Sequence, residues 1–275
     1  MPSALKYINK LQDQRVLILG GSSGIGFCVA EAALEHGATI ILSSSNQTKL
    51  DVAVARLEEH AQATGLSADN GILAKTCDLS NQETIEGNII QLLEFATRDG
   101  KLDHVVFTAG DSLRFKGLKD MTVADIHATN MVRQIGGIML AKHLTPYMNN
   151  CVRSSLTLTG GINTWRPSPN WAVIASNGGA TEALARGFAV DLRPIRVNCV
   201  EPGAIYTELW GDIPEERLPQ VIESYKKATI TGTIGKPEDV AEAYIYCMKD
   251  AFTTAGVIES NGGGRAGDSR DPLTF

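Results

Sequence analysis

Three sets of residues in this 275-residue chain have types and spacing that could do chemistry. The first is Gly20-Gly21-Ser22-Ser23-Gly24-Ile25-Gly26, directly after the apolar run Val16–Leu19. Glycines there allow a sharp turn and a close approach of main chain to a pyrophosphate, and a helix starting at the turn adds amide donors and a favourable dipole. Gly20, Ser22, Ser23 and Ile25 are therefore the candidate phosphate contacts. The second set, Ser44, Ser45 and Asn46, ends the next apolar run. A free ribose 2′-OH usually meets Asp or Glu at such a place. Here small hydroxyl and amide groups, with Lys49 nearby, suit a 2′-phosphate, which favours NADP(H) over NAD(H).

The third set is polar and aromatic. Asn130 and Arg133 lie three apart on an expected helix and so share a face. Arg133 suits either a hydrogen bond to a substrate carbonyl or a surface ion pair, and Asn130 either chemistry or a helix kink. Asp111 suits pairing with a cationic substrate or capping a turn. Trp165, Trp171 and Trp210, with Ser168 held between Pro167 and Pro169, offer aromatic walls for a flat apolar substrate and π faces for a cation. The bland reading of Trp171 and Trp210 is packing in the core or at a subunit contact. His104, His127 and His143 lack metal-ligand spacing, and no metal site is expected. The five cysteines contain no CxxC pair and read as free, buried thiols.

The elements that must position these residues follow from hydrophobic patterning. The runs 16–19, 39–42, 72–77, 104–108, 155–159, 196–200 and 256–260 read as seven buried strands, because near-continuous Val, Ile and Leu suit parallel strands covered on both faces. Amphipathic stretches at 26–35, 50–62, 83–97, 123–148 and 179–192 alternate with them as helices. Strand and helix in alternation give an α/β fold: a seven-stranded, doubly wound, Rossmann-type parallel sheet forming a single domain over 1–275. The tail after Gly262 is rich in glycine and charge. A net charge of −6 and a pI near 5.4 argue against a nucleic-acid partner. No run approaches a membrane span, so a soluble, cytoplasmic protein acting on a small molecule is expected.

These marks together resemble the short-chain dehydrogenase/reductase family over nearly the whole length. The resemblance rests on GGSSGIG (20–26), CDLS (77–80), TAG (108–110), Asn130, LRPIRVN (192–198), EPGAIYT (201–207) and NGG (261–263). It implies that Asp78 and Leu79 contact the adenine and that Ala109 and Gly110 flank it. It further implies that Pro202, Gly203, Ile205 and Thr207 clasp the nicotinamide end, and that the chain forms a homodimer or homotetramer. Leu19 and Thr108 stand where the family usually has Thr and Asn.

The departure lies in the helix after the fifth strand. Aligning GGATEALARG (178–187) with the family's segment puts Ile174 at the Tyr position, Gly178 at the Lys position, and Gly160 or Gly161 at the Ser position. A ketone that receives hydride becomes an alkoxide needing a proton, and loss of a positioned acid costs about 10²–10⁴ in rate. An iminium, C=N⁺, already carries the charge and needs no acid in that step. A site that only holds a reactive conformer for cyclisation likewise needs none. The chain thus resembles a fungal natural-product branch of the family whose members lack Tyr and Lys. They use NADPH on cyclic iminium intermediates and, in some alkaloid pathways, guide a [4+2] cycloaddition. A reductase of a preactivated C=N⁺ is expected, with a non-redox cyclase or a catalytically silent binding subunit as alternatives.

Overall fold

The computed structural model describes residues 6–66, 71–110 and 116–269. Seven parallel strands form one sheet: β1 (Arg15–Leu19), β2 (Thr39–Ser44), β3 (Ile72–Thr76), β4 (His104–Phe107), β5 (Ser155–Thr159), β6 (Arg196–Pro202) and β7 (Val257–Ser260). Their spatial order is β3-β2-β1-β4-β5-β6-β7. Every expected strand is present, and the interior ones are fully buried as their composition requires. The order reverses between β1 and β4, and at such a switch point ligands bind beyond the carboxyl ends of the strands.

Helices cover both faces. On one face α1 (Gly24–Glu35), α2 (Gln47–Thr64) and α8 (Pro237–Lys249) bury Phe27, Ala30, Leu50, Leu57 and Tyr244 against Ile18, Ile40 and Leu42. On the other, α3 (Ile85–Ala96), α5 (Gly137–Leu144) and α6 (Ala172–Asp191) close over Leu17, Val105, Leu156 and Val197. The remaining helices are α4 (Val123–Asn130) and α7 (Leu218–Lys227). No helix among the described residues is long and apolar enough to cross a membrane.

Two expectations change here. The helix anticipated over 123–148 is present but not uniform: α4 passes without interruption into a π-helical segment, Met131–Gly136, and then into α5. A capping box between Thr122 and Asp125 fixes where α4 starts. Helix α6 begins at Ala172, before the amphipathic stretch read from 179. The glycine pair at 178–179 lies inside the helix, for a steric reason given below.

Buried polar groups away from the carboxyl ends have structural work. Arg196 is 4% exposed and donates to the main-chain carbonyls of Val152, Arg153, Cys247, Met248 and Thr253. His104 is hydrogen-bonded to Ser155 Oγ at 2.8 Å, and burial, helped by Arg196, pushes its pKa down to about 3. All five cysteines are free, but only Cys77, Cys199 and Cys247 are buried. Cys151 is exposed and Cys28 is intermediate, because Cys151 lies in the loop before β5 and not on an apolar face.

Candidate active site

At the switch point the glycine turn is shaped by main-chain contacts. Gly20 has φ +88°, and a Cβ there would lie 2.6 Å from the amide nitrogen of Ala109. A Cβ on Gly26 would overlap the carbonyl oxygen of Gly20 and the hydroxyl of Thr108. That hydroxyl donates to the Leu19 carbonyl at 2.9 Å, so Thr108 ties the end of β4 to the end of β1. The amides of Gly20 and Gly21 donate to Ser43. Helix α1 then opens at Gly24 with Ser23 as its N-cap residue, and no side chain caps it. This is the cradle a pyrophosphate requires: a Cβ-free turn leading into a helix N-terminus. The residues present fit a dinucleotide.

Ser22 and Ser44 meet beside this turn, the Ser22 hydroxyl donating to that of Ser44 at 3.0 Å. Asn46 is committed in part to fold, since its Oδ1 accepts from the Lys49 amide at 2.9 Å and caps α2. Ser45 and Lys49 are exposed. Asp78 accepts from the amide and hydroxyl of Ser80. The side chain of Leu79 turns into the core, so only its main chain faces outward, and Ile205 is likewise buried, at 7% exposure. Gly203 packs so closely on Asn261 that a Cβ would lie 2.9 Å from its Cα. Thr207 reaches the glycine turn, its methyl 3.2 Å from where a Cβ on Gly24 would stand. Thr207, at the end of the segment Pro202–Thr207, therefore lies against the turn.

The polar candidates fall in two adjoining elements. Asn130 is the last residue of α4, and Arg133 lies in the π segment, where hydrogen bonds run i→i+5. The Arg133 guanidinium rests on Gly110, filling the space a Cβ there would need, at the carboxyl end of β4. Where α4 meets the π segment, the carbonyl of Thr129 is taken by Asn177 Nδ2 at 2.9 Å. Asn130 thus sits where α4 passes into the π segment. Asp111 lies outside the described residues.

Helix α6 carries the aligned positions. Ile174 is 8% exposed. At Gly178 any side chain would collide with the hydroxyl of Thr164, which comes from the short 3₁₀ turn Ile162–Thr164. That buried hydroxyl has no hydrogen-bond partner. A Cβ on Gly161 would lie 2.6 Å from Asn163 Oδ1, and one on Gly160 would lie 3.1 Å from Cys199 Sγ. Other hydroxyls are spoken for or turned elsewhere. Tyr244 is fully buried and bonded to Thr159 Oγ1 at 2.7 Å, and burial raises its pKa. Tyr206 is half-exposed and packs edge-on against Trp210, 5.7 Å between ring centroids.

The three tryptophans do not form one wall. Trp210 sits between Tyr206 and Tyr225 as part of an aromatic cluster. Trp171 is the N-cap residue of α6 and half-buried. Trp165 is 51% exposed, yet its indole N–H donates to Glu182 at 2.8 Å, and the Arg265 guanidinium stacks on its ring at 3.8 Å. Ser168 is exposed between them. Next to Trp165, Arg166 donates to the carbonyls of Ala228, Gly264 and Gly267, so the loop between β5 and α6 is tied to the tail.

Sequence reasoning missed Thr164, Glu182 and Glu201. Glu201 is fully buried with neither carboxyl oxygen given a donor. Burial, then the bond and charge of Glu182, and then Glu259 push its pKa up to about 8 against the opposing pull of Arg265. Its one signal in the sequence was a carboxylate inside a strand otherwise apolar at that end.

A Cβ-free turn into α1, a sheet reversing beside it and Thr207 packed on that turn define a Rossmann-type α/β oxidoreductase scaffold. Comparison with known proteins agrees: the family model described as an SDR-like Rossmann domain matches residues 7–265, and the chain belongs to the short-chain dehydrogenase/reductase family. It is 40% identical over 253 residues to the short-chain dehydrogenase/reductase malC of Malbranchea aurantiaca, covering 92% of this chain and 95% of that one. It is also 40% identical over 265 residues to short-chain dehydrogenase/reductase fsr5 of Gibberella fujikuroi, covering 96% and 98%. Among solved structures, the MalC reductase/Diels-Alderase from M. aurantiaca superposes with a TM-score of 0.90 at 39% identity, over 94% of this chain and 99% of that one.

Proposed function

We propose that this chain is an NADPH-dependent reductase of a small apolar or aromatic substrate that arrives as a preactivated C=N⁺, and that it works without the family's Ser, Tyr and Lys. One observation carries the reading: a Cβ-free turn opens into α1, while the positions the alignment gives to the family's Tyr and Lys hold buried Ile174 and Gly178, whose space Thr164 fills. NADPH, when bound, supplies a hydride. The turn Gly20–Gly26 would hold its pyrophosphate, Ser22, Ser44 and Ser45 its ribose phosphate, and Pro202–Thr207 its nicotinamide end. Hydride addition to an iminium neutralises the charge as the C–H bond forms, so no alkoxide develops and no acid is needed. The absence of Lys at 178 also spares a cationic substrate an adjacent like charge. Arg133, resting on Gly110, would hydrogen-bond a substrate carbonyl, and Asp111, the next residue in the chain, would pair with the cation.

A second reading uses the same site: a non-redox cyclase that steers cyclisation of its substrate. The solved relative from M. aurantiaca favours it, since that protein is a reductase/Diels-Alderase and 39% identical to this one. Incubation of the purified protein with NADPH and either a cyclic iminium or its ketone analogue tests both. The iminium should oxidise NADPH at least about 10²-fold faster than the ketone, and Arg133→Ala should slow turnover while leaving NADPH affinity intact. Equal rates with the two substrates would overturn the reductase reading. A cyclised product formed equally with NADP⁺ or no nucleotide would instead favour the cyclase.

A further inference from the structure

The loop between β5 and α6 rests on two buried carboxyls. A Cβ on Gly160, where the loop leaves the sheet, would stand 3.4 Å from Glu201 Cγ. Five residues on, Trp165 donates its indole N–H to Glu182. Glu182 is 5% exposed and Glu201 0%, the two carboxyls are neighbours, and no other group donates to either oxygen of Glu201. Two carboxylates cannot face each other this way without a proton or a cation between them. The charged groups around them do not supply that cation. From β7, Glu259 adds a third negative charge. Arg265, from the tail, is committed to Glu259 at 2.8 Å and to the Trp165 ring. Arg186, one turn along α6, reaches Glu182 only at 3.8 Å and is itself 55% exposed. Cys199, on β6, stays a neutral thiol, pushed up to about 12 by burial and by Glu201. Three carboxyls against two guanidiniums leave one negative charge to be cancelled by a proton.

We infer that Glu182 and Glu201 share a single proton, and that this protonated pair is a positioning device that holds Trp165, and with it the substrate loop, against α6. Glu201 is the donor and Glu182 the acceptor, which leaves the second oxygen of Glu182 for the indole N–H. Deprotonation sets two anions side by side in a dry site and pushes β6 and α6 apart where the loop begins. The sign follows from the raised pKa of Glu201. The folded state holds a proton that the unfolded chain gives up above its ordinary value of 4.5. This site's contribution to stability therefore falls as pH rises from about 4.5 towards about 8, and the loop is released through about 8. The inference adds a loop anchor to the reductase reading, but its test uses neither substrate nor nucleotide, so either can fail without the other.

The full-length protein carries three tryptophans, so labelling with fluorotryptophan gives three fluorine resonances. The Trp165 signal is the one lost in Trp165→Phe. On titration from about pH 6 to about pH 10, that signal should shift with a midpoint near 8, while Trp171 and Trp210 hold still. Glu201→Gln, a neutral mimic of the protonated acid, should keep the low-pH position and abolish the transition. Arg265→Gln removes a compensating charge and should raise the midpoint by about one pH unit, a result independent of whether the Glu201 variant folds. A Trp165 signal that does not titrate in the wild type, a transition that survives Glu201→Gln, an unmoved midpoint in Arg265→Gln, or equal movement of all three resonances would overturn the proposal.

Discussion

Glycines crowd two regions of this molecule, the turn after β1 and the middle of α6, and they are required for different reasons. At Gly20 and Gly26 the obstacle to a side chain is main chain: the Ala109 amide and the Gly20 carbonyl. At Gly178 the obstacle is a single side chain, the hydroxyl of Thr164. Main chain cannot be substituted away, whereas one threonine can. The glycine turn is therefore fixed by the fold itself, and the glycine at 178 by a local choice of residue. On the proposed reading, a scaffold built this way can keep its cofactor while its chemistry is rewritten.

The largest expected effect breaks the first half of that comparison. Gly26→Ala should abolish NADPH binding, with affinity falling by more than about 100-fold and stability by about 1–3 kcal/mol, because overpacking against backbone has no rotamer to relax into. Adding Thr108→Ala relieves one of the two contacts but leaves the Gly20 carbonyl, so the double variant should stay defective. Nucleotide titration with thermal melts would check this, and rescue by Thr108→Ala would show that the turn, too, is set by side chains.

The next effect tests the second half. Gly178→Ala should cost about 1–3 kcal/mol despite alanine's better helix propensity, because its methyl meets Thr164. In Gly178→Ala/Thr164→Gly most of that loss should return, a coupling a double-mutant cycle reads directly. The same relief opens a route back to ordinary chemistry. Ile174→Tyr/Gly178→Lys should fold poorly alone, and with Thr164→Gly should gain ketone reduction measurable by NADPH consumption. Additive melts in the cycle would mean that Thr164 is not what excludes a side chain at 178.

The same distinction explains what could be read from sequence. The seven strands were legible because parallel strands buried on both faces leave apolar runs, and the glycine turn because its main-chain role permits little else. That 174 and 178 stand at the family's Tyr and Lys positions is a reading of the alignment through GGATEALARG. Why 178 is glycine was not legible, because Thr164 lies fourteen positions away and meets it only through a loop fold. The π segment was hidden for a related reason: Met131–Gly136 reads as ordinary amphipathic helix, and the wider turn that carries Arg133 shows no compositional mark. The Glu182–Glu201 pair joins a helix to a strand, and no local pattern announces such a meeting.

The smallest effect sharpens the comparison within the cradle. On the proposed reading its phosphate side is main chain, but its ribose side would be two hydroxyls, Ser22 and Ser44, which lie 3.0 Å apart. Cofactor choice should therefore be adjustable where cofactor binding is not. Ser44→Asp places a carboxylate where a 2′-phosphate would lie and offers an acceptor to a free 2′-OH. The ratio of NADPH to NADH affinity should fall by about tenfold, or about 1.4 kcal/mol, with fold stability nearly unchanged since Ser44 is only partly buried. Titration of the wild type and the variant with both nucleotides measures that ratio. An unchanged preference would place the 2′-phosphate elsewhere, and Lys49 at the first turn of α2 would be the next side chain to substitute.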